Sequence, residues 1–129
     1  MIDGLTKLDV ITLFAEDLPA VKAFYQDVFG LEVIYEDANS AVVRLEDLMI
    51  NLLEVSNAPE LVAPTPVADP AAGARLLLTI EVRDTDAACA ALERHGVKLL
   101  NGPVDRPWGR RTAAFADPAG NVWEVAAPI

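Results

Sequence analysis

The chain has 129 residues, 53% of them hydrophobic, and its 20 acidic and 10 basic side chains give a net charge of −10. This length suits one domain, and the apolar content is sufficient for a core. The acidity disfavours a nucleic-acid partner, and no apolar run reaches the roughly 18–20 residues of a membrane helix. No secretory leader is visible, so we expect a cytoplasmic protein. The single cysteine, Cys89, excludes an internal disulfide and is expected to be buried.

The first half of the chain predicts one strand, one helix and three further strands. Residues 8–15 form a β-rich run. Asp17 predicts a helix N-cap, apolar residues recur at spacings of three and four, and Gly30 predicts the end of the helix. Short strands are predicted over residues 31–36, 40–45 and 48–54.

The same order returns in the second half. Strands are predicted over residues 76–82, 97–100, 110–116 and 121–126, with a helix from Asp84 to Gly96. The intervening segment 57–74 contains four prolines, which block regular structure, so we predict a mobile linker there. We therefore predict one α+β domain over residues 1–129, with units at 1–56 and 75–129.

A duplicated β-α-β-β-β unit predicts two curved mixed sheets around a shared trough, because one unit alone leaves a sheet face uncovered. Side chains alternate across strands, so each of four strands has one apolar and one mixed face. The mixed faces contribute Thr12, Phe14, Met49, Asn51, Thr79, Glu81 and Glu124. An apolar cleft with a few polar groups is typical of a small-molecule site, although a solvated sheet face gives the same pattern.

Two segments of the chain resemble the vicinal oxygen chelate superfamily, which includes glyoxalase I, extradiol dioxygenases and bleomycin-resistance proteins. Residues 17–31 contain Asp-Leu, Phe-Tyr and Phe-Gly-Leu, and residues 117–124 read Asp-Pro-Ala-Gly-Asn-Val-Trp-Glu. The likeness spans nearly the whole chain. It implies a fold of two such units but does not specify a reaction.

The resemblance also implies where a divalent metal would be held. Enzymes of this superfamily take ligands from four positions, which here hold Val10, Asn51, Leu77 and Glu124. Two of these side chains are hydrocarbon, whereas a catalytic metal needs about three protein ligands. If the alignment with the superfamily is shifted by one residue, Asp9 falls at one of these ligand positions, but the position on the fifth strand still holds an apolar residue. We therefore expect no metal and no other cofactor, while an unexpected ligand set stays open.

Among metal-free members, the nearest likeness is to the bleomycin-resistance proteins, through the segment Arg106–Arg110. In that group the Trp of Pro-Trp-Gly stacks on the ligand, which gives Trp108 a candidate binding role. A loop residue that covers the sheet edge is the alternative for Trp108. Arg110 and Arg111 place positive charge beside Trp108, which differs from what a site for a large cation requires.

These observations favour metal-independent binding of a small hydrophobic or cationic molecule, with drug sequestration of the bleomycin-resistance type as one form. The alternative is a glyoxalase-like lyase or isomerase with Glu124 as general base, with or without a divalent metal. The sequence leaves open whether any reaction is catalysed. In this superfamily two units close around a site within one chain or across a homodimer, and the Pro-rich segment 57–74 permits units to be exchanged between chains. We therefore expect a homodimer.

Overall fold

A computed structural model describes all 129 residues and divides the chain into two compact units, Met1–Val67 and Ala68–Ile129. Each unit contains one four-stranded sheet and one helix of ten residues. Neither sheet closes into a barrel. The predicted α+β class and the repeated strand-helix-strand order are confirmed. None of the helices combines the length and the apolar character needed to cross a bilayer.

The first unit consists of β1 (Val10–Ala15), α1 (Leu18–Asp27), β2 (Val33–Glu36), β3 (Ser40–Arg44), β4 (Met49–Glu54) and a short helix, α2 (Pro59–Val62). Its strand order is β1-β4-β3-β2, in which β1 runs parallel to β4 and the other pairs are antiparallel.

The second unit consists of β5 (Leu77–Glu81), α3 (Thr85–Arg94), β6 (Leu99–Asp105), β7 (Arg110–Ala116) and β8 (Val122–Pro128). It repeats the topology of the first unit, with the order β5-β8-β7-β6 and a parallel β5–β8 pair. Because the parallel strands are joined through a helix, that helix covers one face of the sheet and leaves the other free.

Both long helices start at the predicted aspartates. The Asp17 carboxylate accepts a hydrogen bond from the Ala20 amide at 3.2 Å, and Asp84 accepts one from the Ala87 amide at 3.0 Å. Each bond satisfies a backbone donor that the first helical turn leaves unpaired. The two units therefore use the same local signal to start the helix that covers the sheet.

Both helices also end in the same way. Gly30 has a positive φ of 69°, and the amide of the next residue, Leu31, donates to the Tyr25 carbonyl at 3.0 Å. Gly96 has a φ of 78°, and the amide that follows it bonds to the carbonyl of Leu92 at 3.0 Å. This left-handed closure is one that glycine adopts without a steric penalty.

The core of each unit lies between the sheet and its long helix. In the first unit Ile50, Leu52 and Tyr25 are fully buried, and in the second Trp123 is 1% exposed. Cys89 on α3 is buried as predicted, and burial raises the pKa of its thiol. The strand faces predicted to be wholly apolar are thus the ones that pack on helices in β1, β4 and β8.

Two sequence-based boundaries were wrong. The linker segment contains the α2 helix, because Pro59 stands in its first turn, where a missing amide donor costs nothing. Strand β6 extends over Leu99–Asp105 rather than residues 97–100, and its pairing with β7 shifts twice. Pro103 is tolerated there because β6 is an edge strand.

Candidate functional site

A depression of about 370 Å³ lies on the second unit, on the sheet face opposite α3. Strands β5, β8 and β7 form its floor, and the turn between β6 and β7 forms one wall. It contains four of the residues predicted for the site together with three that the prediction did not include. The lining residues are Thr79, Glu81, Trp108, Arg110, Thr112, Glu124 and Ala126.

Strand register brings the polar groups of the floor together. Thr79 lies opposite Glu124 in the β5–β8 pair, and its hydroxyl donates to Glu124 Oε1 at 3.0 Å. One row further along, Glu81 lies opposite Ala126, which in turn pairs with Thr112 of β7. The threonine fixes one carboxylate oxygen of Glu124, and Oε2 has no hydrogen bond to the protein.

Trp108 stands on the wall and is 68% exposed. Its turn is closed by two backbone hydrogen bonds, from the Arg106 amide to the Arg110 carbonyl at 2.7 Å and from the Gly109 amide to the Arg106 carbonyl at 3.1 Å. The Arg106 guanidinium also donates to the buried Thr112 hydroxyl at 2.9 Å, which anchors the turn to the floor. These bonds fix the backbone that carries Trp108 at the border of the depression, and most of the indole surface is exposed.

The charges around the depression are mixed. Two carboxylates, Glu81 and Glu124, face one guanidinium, that of Arg110. Arg110 belongs to none of the ion pairs in the structure, whereas its neighbour Arg111 pairs with Asp86 and Asp105.

The other four predicted site residues lie together on the first unit. Thr12 pairs with Asn51 in the β1–β4 register, and the Asn51 amide donates to the Thr12 hydroxyl at 3.5 Å. Phe14 and Met49 flank this pair on the same sheet face, and all four side chains are half-buried. This face carries no charged group comparable to Glu81 or Glu124 at the matching positions.

The comparison with known families gives the chain its classification. The family model of the Glyoxalase/Bleomycin resistance protein/Dioxygenase superfamily matches residues 7–125. The chain belongs to this superfamily. A curated relative, the uncharacterized protein YaeR of Escherichia coli strain K12, is 32% identical over 123 residues, which cover 91% of this chain and 92% of YaeR.

Solved structures of the superfamily share the fold. A glyoxalase/bleomycin resistance protein/dioxygenase from Nocardioides superposes with a TM-score of 0.88 at 21% identity, covering 99% of this chain and 87% of its own. TnmS3, an antibiotic binding protein from Streptomyces sp. CB03234, gives a TM-score of 0.72 at 26% identity, covering 97% and 98%. The first likeness concerns the fold alone.

The four positions to which the sequence resemblance assigns metal ligands carry few donors in this chain. Val10 is 38% exposed and Leu77 is 50% exposed, and neither hydrocarbon side chain can coordinate an ion. Within neither unit do three His, Cys, Asp or Glu side chains come together as a metal site would require. The only histidine, His95, is exposed at the end of α3, with its ring Nδ1 2.9 Å from the Ala91 carbonyl oxygen. The donor set at these positions therefore does not fit the metal that the superfamily implies.

Arg110, Thr112 and Ala126 were missing from the predicted site. A signal for the first two was present, because Arg110 and Thr112 alternate along β7 and lie two and four residues after Trp108. Placing β7 beside β8 with Thr112 opposite Ala126 requires the pairing register, which one strand's sequence does not provide.

Proposed function

We propose that the protein binds a small molecule with a flat aromatic part, without a metal, in the depression of the second unit. The observation that carries this proposal is the exposed indole of Trp108, which borders a floor that contains Glu81 and Glu124. An aromatic group stacked on Trp108 contributes on the order of 1–2 kcal/mol, and the carboxylates favour a cationic substituent.

The site's composition supports binding more than metal chemistry. A volume of about 370 Å³ lies within the range of small-molecule pockets, and the Thr79–Glu124 hydrogen bond holds the floor in one arrangement. TnmS3 is described as an antibiotic binding protein, and its likeness to this chain supports sequestration of a drug-like compound as the form of binding.

A second candidate is lyase or isomerase chemistry with Glu124 as general base. It is favoured by the Glu124 oxygen that the protein leaves without a hydrogen bond, next to a space that admits substrate. A Glu124→Gln variant that keeps full turnover of an identified substrate would exclude this role, because an amide does not accept the proton.

We further propose that the chain acts as one domain of two units, 1–56 and 75–129, and assembles as a homodimer in the cytoplasm. Light scattering at micromolar concentration is expected to give twice the chain mass of 13.8 kDa. A particle of one chain mass under these conditions excludes the dimer.

The binding proposal is tested with proflavine, a flat aromatic cation, titrated into chelator-treated protein by calorimetry. Trp108→Ala is expected to weaken proflavine binding about tenfold, because the stacking partner is lost. Tyr35→Ala removes an exposed aromatic side chain from the first unit and serves as the matched control, with unchanged affinity expected.

Metal independence is tested by two further measurements. Elemental analysis of protein purified without chelator is expected to show no stoichiometric metal, and adding nickel, zinc, manganese or iron(II) should leave the proflavine affinity unchanged. One metal ion per chain, or affinity that appears only after metal addition, contradicts the proposal.

A further inference from the structure

Three arginines stand in or beside the β6–β7 turn, and they differ in their partners. Arg106 donates to Thr112 and Asn101, and Arg111 donates to Asp86 and Asp105. The side chain of Arg110 makes no hydrogen bond or ion pair in the structure, although it borders the depression. A guanidinium carries five donors that match a carboxylate or phosphate in paired geometry.

Two of the charged groups that line the depression lie at its opposite ends. Arg110 lies opposite Pro128 on β8, and Glu124 is four residues earlier on that strand. At the usual rise per residue, the backbone positions of Arg110 and Glu124 are roughly 13 Å apart along the sheet. One end of the floor presents the guanidinium and the other the carboxylate that Thr79 holds.

We infer that the site selects amphoteric aromatic ligands, in which a flat ring separates an anionic group from an amine. The anionic group pairs with Arg110, the ring stacks on Trp108, and the amine lies toward Glu124. This inference rests on the proposed function and adds a preference for ligands that carry a negative charge, which a site for simple cations does not show. Arg110 is then the residue that determines specificity.

Ciprofloxacin provides a probe with this layout, because its carboxylate and its piperazine amine lie at opposite ends of a flat bicyclic ring. Its methyl ester keeps the ring and the amine but removes the negative charge. Calorimetric titration of both compounds into the wild-type chain, Arg110→Gln and Arg110→Lys measures the preference for the acid over the ester in each protein.

The wild-type chain is expected to bind the acid about tenfold more tightly than the ester, the gain of a charge-assisted hydrogen bond. Arg110→Gln should bind the two compounds equally, because the anionic group of the acid loses its partner. Arg110→Lys retains the charge but not the paired donors, so part of the preference should remain.

Other results overturn the inference and show whether the proposed function falls with it. Equal wild-type affinities for acid and ester contradict a preference for negative charge, and a preference that survives in Arg110→Gln contradicts its assignment to Arg110. If neither quinolone binds while proflavine does, the amphoteric specificity is wrong and the aromatic site remains. If proflavine also fails to bind, the inference and the proposed function are both wrong.

Discussion

The two units share one topology but carry different side chains on the sheet face opposite the helix. Thr12 and Thr79 occupy matching positions, but the first hydroxyl meets the Asn51 amide at 3.5 Å and the second meets the Glu124 carboxylate at 3.0 Å. Along the same strands, Phe14 of the first unit corresponds to Glu81 of the second. The helix-facing sides are apolar in both units, so duplication preserved the packing surface while the opposite face diverged.

The largest expected effect tests the shared packing surface. Trp123→Ala should lower the free energy of unfolding by about 3–5 kcal/mol, and Ile50→Ala, at a central position of the first sheet, by about 2–5 kcal/mol. Both side chains are almost fully buried against their helix. Denaturant unfolding measures the change, and Trp108→Ala, which removes an exposed indole, should cost no more than about 0.5 kcal/mol. A loss below about 1 kcal/mol for either core variant contradicts the shared role.

The next effect separates the two exposed faces. Glu124→Gln should weaken proflavine binding about tenfold, because a charged acceptor becomes a neutral amide of the same shape. Asn51→Ala, the change at the matching position of the first unit, should leave the affinity unchanged. Calorimetry on chelator-treated protein makes the measurement. Equal losses from the two substitutions contradict the assignment of the site to the second unit.

The helix caps should behave alike in the two units. Asp17→Ala and Asp84→Ala each remove one hydrogen bond to a first-turn amide, so each is expected to cost about 1 kcal/mol in urea unfolding. The corresponding asparagine variants keep the acceptor and should retain most of the stability. A cost confined to one of the two alanine variants is incompatible with equivalent caps.

The smallest effect comes from a turn where the units differ. Hydrogen bonds from the Asn39 amide and from the Tyr35 and Ser40 hydroxyls lower the pKa of Asp37 between β2 and β3. Because the folded pKa is depressed, this stabilisation is present above the unfolded pKa, near 4, and is lost as the pH falls through the folded value. The corresponding turn of the second unit holds Trp108.

Asp37→Asn is therefore expected to reduce stability slightly at neutral pH and to flatten the loss of stability below about pH 4. Unfolding curves at a series of pH values measure both changes. If the stability of Asp37→Asn falls as steeply in acid as that of the wild-type chain, other carboxylates cause the pH dependence.

Much of the fold was predictable from local signals. Asp17 and Asp84 marked the helix starts, and alternation along β1, β4 and β8 identified the faces that pack on helices. The helix at Pro59 and the full length of β6 could not be predicted in this way, because the tolerance of proline depends on its position in a helix or at a sheet edge. Alternation also selected Thr79, Glu81 and Glu124, whereas the place of Arg110 depends on register between strands.

A metal-free site on the second unit is tested most directly by a nitrogen-15 correlation NMR titration of chelator-treated protein with ciprofloxacin. We expect the largest shifts on the Trp108 indole N–H and on the amides of Thr79, Glu81 and Glu124, and no shift of the Thr12 and Asn51 amides. Shifts centred on Thr12 and Asn51, or shifts that require added metal, would contradict a metal-free site on the second unit.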